Sequence, residues 1–519
     1  MTPTLPDWSQ LQLVMPEIWL VIAMCAVLMA PLARGRKPIV PTVIALVGTI
    51  LATVSAAMSI GQVGDTGTAL FHGTLAIDPF SQFFKVLLGV FTTLVLIQWW
   101  VIGRDRTDEG DVPDFQCLLL GAAFGMSLMA SANNLLTILV AIEAASLPSF
   151  ALAGFFKRQT RGTEAALKYV VFGAAASAIN VYGMSLIYGA TGSLALPEIA
   201  AAATSGVSPL LAVGMVGLLI GVAFKLSAVP VHFWCPDVFE GAPFEVTTFL
   251  SVASKGAAIA LLLRITQSFG LAGDFPALAA GLAIIGGVTA TWGNLVALQQ
   301  THVRRLLAYS SIAHAGYMIM AVSLLAVAGP EARQAISAAI LFYLLVYLFM
   351  NLGAFTVAAV IADREGTENL ESYAGLLKRS PALSIGLGLC LLSLFGMPGL
   401  GGFSAKLLAM GAMVNVGTVG LVLVVVLLLN TLISLYYYLR PIYFMVLVED
   451  QQDRPAFVPA AGALALLVVC VAALFWTGLL PGSASDLTSD HGATLDATHI
   501  EAPVETPVAE ATTPLISTE

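Results

Sequence analysis

Fourteen apolar runs of roughly 20 residues, the length a hydrocarbon layer demands, leave this chain few folds to choose from. They cover approximately residues 13–33, 38–60, 79–102, 114–131, 134–156, 164–190, 208–230, 244–268, 276–298, 303–327, 334–362, 381–413, 417–447 and 457–480, numbered spans 1 to 14. Lipid offers the backbone no hydrogen-bond partner, so segments this long cross as helices. The expected fold is an all-α polytopic membrane protein in a lipid bilayer, with about 14 transmembrane helices and no nucleic-acid partner. A mean hydropathy of +0.91, with only 10% charged residues, excludes a soluble globular protein. The first run is long enough to span and is followed by more of the same, so it reads as a span and not as a cleavable signal.

Basic residues set direction. Connections after odd-numbered spans hold fifteen Lys and Arg residues, from Arg34, Arg36 and Lys37 to Arg440 and Arg454; even-numbered connections and helix ends hold two, Arg264 and Arg333. One missed or extra span would scramble that alternation. Both termini are therefore expected outside, with the basic loops in the cytoplasm. Beyond Gly482 seven acidic residues stand among Pro, Thr and Ala with no Lys or Arg. Such a segment buries too little apolar surface to fold, and 482–519 reads as a disordered tail. The five cysteines are scattered and read as small buried residues, not as a disulfide or metal framework.

Two spans carry helix breakers: span 7 at Ser227 to Pro230, and span 12 at Gly396 to Phe403. If spans 4 to 8 form one unit and spans 9 to 13 another, the broken helix is fourth in each. An odd number of spans per unit makes the units inverted, a recurring build of secondary transporters with the ion site beside unwound backbone at the midplane. The implied division is an N-terminal three-helix segment (1–110), a first five-helix repeat (111–270), a second, inverted repeat (271–450), a last transmembrane helix (451–481) and the tail.

Five lysines fall inside apolar runs. Lys85, near the outer end of span 3, is expected to snorkel to the interface. Lys225 and Lys406 stand five residues before and eight after the prolines of the two breaks. Even on the gentlest insertion scale a lysine at this depth costs about 3 kcal/mol, which calls for a function. Glu143 is alone in span 5, and Lys225 is its candidate partner; making or breaking that pair would switch the ammonium between holding and releasing its proton. Lys168, one turn into span 6, faces either Glu143 or solvent and reads as a tuning residue. Lys255 in span 8 lies deeper, with Ser251 and Ser254 close by to hold waters between ionisable groups. In span 10, Ser310, His314 and Tyr317 fall at i, i+4 and i+7, a polar stripe suited to relay protons. Lys406 is the expected exit. Asp237, Glu240 and Glu245, between spans 7 and 8, read as ordinary loop charges, with proton gathering as the alternative.

The stretch FKLSAVPVHFWCPDVFEGAPFEVTTFLSVASK (224–255), the lone glutamate of span 5, LLAYSSIAHAGYMIM (306–320) and GMPGLGGFSAKL (396–407) carry a resemblance. The chain resembles the antiporter-like, proton-translocating membrane subunits of complex I, the NADH-quinone oxidoreductase, and within them the subunit N branch, over nearly all its length apart from the tail. The resemblance implies a place in a membrane arm beside sibling antiporter-like subunits. Quinone reduction, FMN and iron-sulfur clusters would belong to partner subunits, with no cofactor or metal in this chain. It assigns the proton path to Glu143, Lys225, Lys255 and Lys406, with His314 and Lys168 added from the reading above. A cation/proton antiporter subunit of the Mrp kind, which shares the signature of spans 7 and 8, and a non-conducting structural subunit are the alternatives.

Overall fold

The computed structural model describes residues 8–34, 37–63, 67–156, 160–452 and 454–492. Thirteen helices among them are long and apolar enough to cross a membrane. A fourteenth crossing is made by two shorter apolar helices in series, Pro381–Phe395 and Gly401–Val414, which together are span 12. Span 1 is Met15–Arg34, span 7 is Pro209–Leu226 and span 13 is Thr418–Val446. Hydrophobic length was a good guide to boundaries because in lipid it sets the length of the helix.

Spans 8, 10 and 11 are buried along most or all of their length, whereas the other long spans bury about a third to three quarters. The bundle thus has a central layer of three helices wrapped by the rest. Spans 4 and 5 pack closely, as do spans 6 and 7 and spans 9 and 10. Small residues allow this approach. A Cβ on Gly183 of span 6 would lie 2.7 Å from the Cα of Gly217 of span 7, and one on Gly316 of span 10 would lie 2.4 Å from the backbone nitrogen of Ala290 of span 9. On the face opposite the basic loops, a short hairpin pairs Thr68–Leu70 with Leu75–Ile77 and bonds to Asn133, while the amphipathic helix Leu196–Thr204 closes the connection after span 6.

Four features depart from the expectation. Lys85 does not snorkel: it is 3% exposed and forms an ion pair with Glu17 of span 1, at 2.8 Å. The nearer partner removes the need to reach water. Span 8 is not a regular helix, since Leu250–Ser254 form a π turn between Phe244–Phe249 and Lys255–Ala272. The start of the acidic tail is ordered: Pro481–Gly492 is helical and packs on span 11, with Ala484 and Thr488 buried one turn apart. That small face suffices to dock it, and the rest of the tail lies outside the described residues. All five cysteines are free, but Cys25 is exposed and Cys117 only half-buried, because spans 1 and 4 turn those positions outward.

Candidate functional site

The π turn of span 8 delivers Lys255 into the middle of the buried layer, at 0% exposure. Single π turns inside α-helices recur at functional sites because they release backbone groups from the regular ladder. The Lys255 ammonium donates to the hydroxyl of Ser311 on span 10, and the ring of Phe239 covers it at 5.9 Å.

The polar stripe of span 10 is buried and meets hydroxyls from two other spans. His314 Nδ1 lies 2.6 Å from the hydroxyl of Tyr343 on span 11, and its Nε2 lies 3.1 Å from the hydroxyl of Tyr438 on span 13. Tyr438 in turn meets the Ser310 hydroxyl at 2.5 Å. The imidazole therefore sits between two hydroxyls, an arrangement in which a proton taken at one nitrogen can leave from the other. The Tyr347 ring packs beside it, tilted by 36° with ring centroids 5.1 Å apart. Tyr317 receives a hydrogen bond from Asn294 at 2.8 Å, and Asn294 is fixed by Asn430 and Tyr437, which locks spans 9, 10 and 13 together.

Lys406 lies on the second half of span 12 and turns back across the break. Its ammonium donates at 2.7 Å to the carbonyl of Phe395, the last residue of the first half, and sits 5.3 Å from the centroid of the Tyr317 ring. Gly396, at φ +99°, makes the turn; a Cβ there would approach the lysine side chain at 3.2 Å. Breaking the helix thus frees a carbonyl that holds the amine.

Lys225 differs. Span 7 ends one residue beyond it, and Ser227 caps it in a left-handed conformation (φ +57°) that stops the helix. Lys225 is 1% exposed and its Nζ has no hydrogen-bond partner. The structure does not bring it into an ion pair with Glu143, although the Glu143 charge acts on it across the gap. Glu143 is half-buried and accepts a hydrogen bond from Ser177 of span 6.

Lys168 does not pair with Glu143; its side chain is 39% exposed at the membrane edge. It pairs with Glu164 at 2.8 Å and with Asp237 at 2.7 Å, at the basic face. Arg305 bonds Asp237 and Glu240, each at 2.8 Å, so this cluster ties spans 6 and 10 to the short helix Trp234–Gly241. Burial pushes the Asp237 carboxyl up, but hydrogen bonds from Lys168 and Arg305 outweigh it and hold the group below the ordinary carboxylate range. Asp237 and Glu240 are therefore ion-paired charges of the connection, while Glu245 is buried at 1%. Ser311, Tyr343 and Tyr438 escaped the sequence reading. Tyr343, Tyr347 and Asn351 do fall at i, i+4 and i+8 on span 11, a stripe that could have drawn attention to them.

Fold and site together define a polytopic helical membrane protein with two broken helices and a buried set of amines, hydroxyls and the His314 imidazole. Residues 132–434 match the family model described as "NADH:quinone oxidoreductase/Mrp antiporter, TM", and the chain belongs to that family. It is 41% identical over 450 residues to NAD(P)H-quinone oxidoreductase subunit 2 of Thermosynechococcus vestitus, covering 85% of this chain and 83% of that one. It is 40% identical over 409 residues to NADH-quinone oxidoreductase subunit N 2 of Symbiobacterium thermophilum, covering 76% and 78%. A chain of respiratory complex I from Thermus thermophilus with bound aureothin superposes with a TM-score of 0.75 at 34% identity, over 91% of this chain and 98% of that one. A chain of the Mrp complex from Dietzia sp. DQ12-45-1b shares the fold, with a TM-score of 0.77 at 20% identity over 94% and 98%.

Proposed function

We propose that this chain is a proton-translocating membrane-arm subunit of a respiratory NADH:quinone oxidoreductase. Protons move through the buried file that includes Lys225, Lys255, His314 and Lys406, with Glu143 biasing Lys225 and Lys168 fixing the loop beneath it. The observation that carries this reading is the hydrogen-bonded set Lys255–Ser311 and Ser310–Tyr438–His314–Tyr343, buried in a bundle whose two broken helices each carry a buried lysine. Unlike Lys85, which Glu17 neutralises, Lys225, Lys255 and Lys406 have no carboxylate at ion-pair distance among the described residues, and holding such amines out of water carries a cost that points to a role. Redox energy comes from quinone reduction in partner subunits, which hold the FMN, iron-sulfur clusters and quinone; sibling antiporter-like subunits are its neighbours. The family names and the 34% identity to a complex I chain favour this over the Mrp alternative, where the likeness is one of fold.

On this reading the protein lies in a bacterial inner membrane, with basic loops in the cytoplasm and both termini on the periplasmic side. The repeats run from 111 to 270 and from 271 to 450. Lys225→Ala in the assembled complex is the test: quinone reduction driven by NADH should lose most of its coupled proton movement in inverted vesicles. Wild-type pumping would leave a structural role. Copurification in mild detergent with a flavin and iron-sulfur arm separates complex I from an antiporter.

A further inference from the structure

Glu245 is the one acidic group of the connection between spans 7 and 8 that the ion-pair cluster at the basic face does not absorb. It sits in the first turn of span 8, 1% exposed, and its Oε1 has no hydrogen-bond partner. The carboxylate is packed against the end of span 3, where a Cβ on Gly103 would stand 2.5 Å from Oε1, and Trp99 is next to that position. Three charged groups face it. Arg106, at the end of span 3, approaches at 4.0 Å but gives its hydrogen bond to Asp363 of span 11; Arg304 of span 10 is engaged by Glu368. Both cations are committed elsewhere, so Glu245 is a buried carboxylate without a dedicated counter-ion. Such a group is stabilised by taking up a proton.

Further inward, where spans 3, 8 and 11 meet, other buried polar atoms stand open. Gln98 of span 3 donates to Thr356 of span 11 at 3.2 Å, which leaves its Oε1 unpartnered. The Oδ1 of Asn351, the hydroxyl of Tyr347 and the Oγ of Ser254 are also without hydrogen-bond partners. Asn351 lies one turn from Tyr347, and the Tyr347 ring touches His314. Open polar atoms at this burial are where ordered water binds. Ten residues separate Glu245 from Lys255, about 15 Å along a helix, a distance that water must bridge.

We propose that Glu245 is a proton-intake residue, and that a water file held by Gln98, Thr356, Asn351 and Ser254 between spans 3, 8 and 11 passes its proton to the Tyr347–His314–Lys255 group. The carboxylate takes H⁺ from the cytoplasmic side, releases it to the first water, and is ready for the next. The proposal rests on the translocation reading above and adds the route of supply.

The test uses vesicles carrying the assembled complex with Glu245→Gln, Glu245→Asp and Gly103→Ala, beside Lys225→Ala as a control for translocation itself. Glu245→Gln should slow proton uptake severalfold at pH 8 to 9 and much less at pH 6, where protons are abundant; Glu245→Asp should restore most of the rate. Gly103→Ala, which pushes the carboxylate aside, should repeat the alkaline defect in milder form. Redox-induced infrared difference spectra should lose a protonated-carboxyl band in Glu245→Gln. A wild-type pH profile and an unchanged band in Glu245→Gln, with Lys225→Ala inactive, would overturn the intake role alone. If Lys225→Ala also pumps normally, the translocation reading fails and the intake role with it.

Discussion

The two helix breaks solve the same problem in opposite ways. At the second break Gly396 ends the first half-helix in a left-handed conformation, and the Phe395 carbonyl so exposed binds Lys406 directly. At the first, Ser227 ends the helix in a left-handed conformation and Lys225 is left buried without a hydrogen-bond partner, with the charge of Glu143 acting on it from further off. A lysine held by a neutral carbonyl has a fixed donor role. A lysine with no partner has its protonation decided by what approaches. On the translocation proposed above, the difference makes the first break the responsive end of the path and the second its anchored end.

The largest expected effect tests that contrast. Lys225→Ala and Lys406→Ala should each lower coupled proton movement at least tenfold, but only Lys406→Ala should also lower thermal stability, because it leaves the Phe395 carbonyl unpaired at a cost of about 1–3 kcal/mol. Equal melting temperatures for the two variants would erase the distinction. Next in size is a buried pair remote from both breaks. Lys85→Met alone strands Glu17 and should destabilise the protein by about 3–5 kcal/mol, while Lys85→Met with Glu17→Gln should regain most of that in a detergent melt. Pumping per assembled complex should stay unchanged.

Smaller effects sharpen the comparison within each half. Glu143→Gln removes the field on Lys225 and should reduce pumping severalfold. Tyr438→Phe removes the hydroxyl shared by His314 and Ser310 and should act to a similar or lesser degree on the anchored half, read as the rate of proton uptake in vesicles. The smallest effect lies outside the membrane. Hydrogen bonds from Arg454 pull the Asp450 carboxyl down to about 2. Its stabilising contribution is therefore present above the ordinary carboxylate pKa of about 4 and is lost as pH falls from there toward 2. A melt over that range should show a fall that Arg454→Met blunts.

Much of the site was legible because lipid makes isolated ionisable residues conspicuous. Glu143, Lys225, Lys255, His314 and Lys406 stand out from apolar runs, and the prolines and glycines of both breaks are local signals. What escaped was pairing across the bundle. Glu17 and Lys85 are 68 residues apart, and His314 meets Tyr438 across 124. Glu245 reads as a loop charge until the helix that carries it is seen folded under the end of span 3.

The sequence by itself determined the number of crossings, the alternation of basic loops and the position of both breaks, because each follows from hydrophobic length or from backbone chemistry within a few residues. Only the tertiary structure decided which amine is held and which is bare, which carboxylate is orphaned, and which hydroxyls flank the imidazole. Those outcomes depend on side chains from different helices meeting at hydrogen-bond distance, and in a bundle this deep such meetings are set by how whole helices pack.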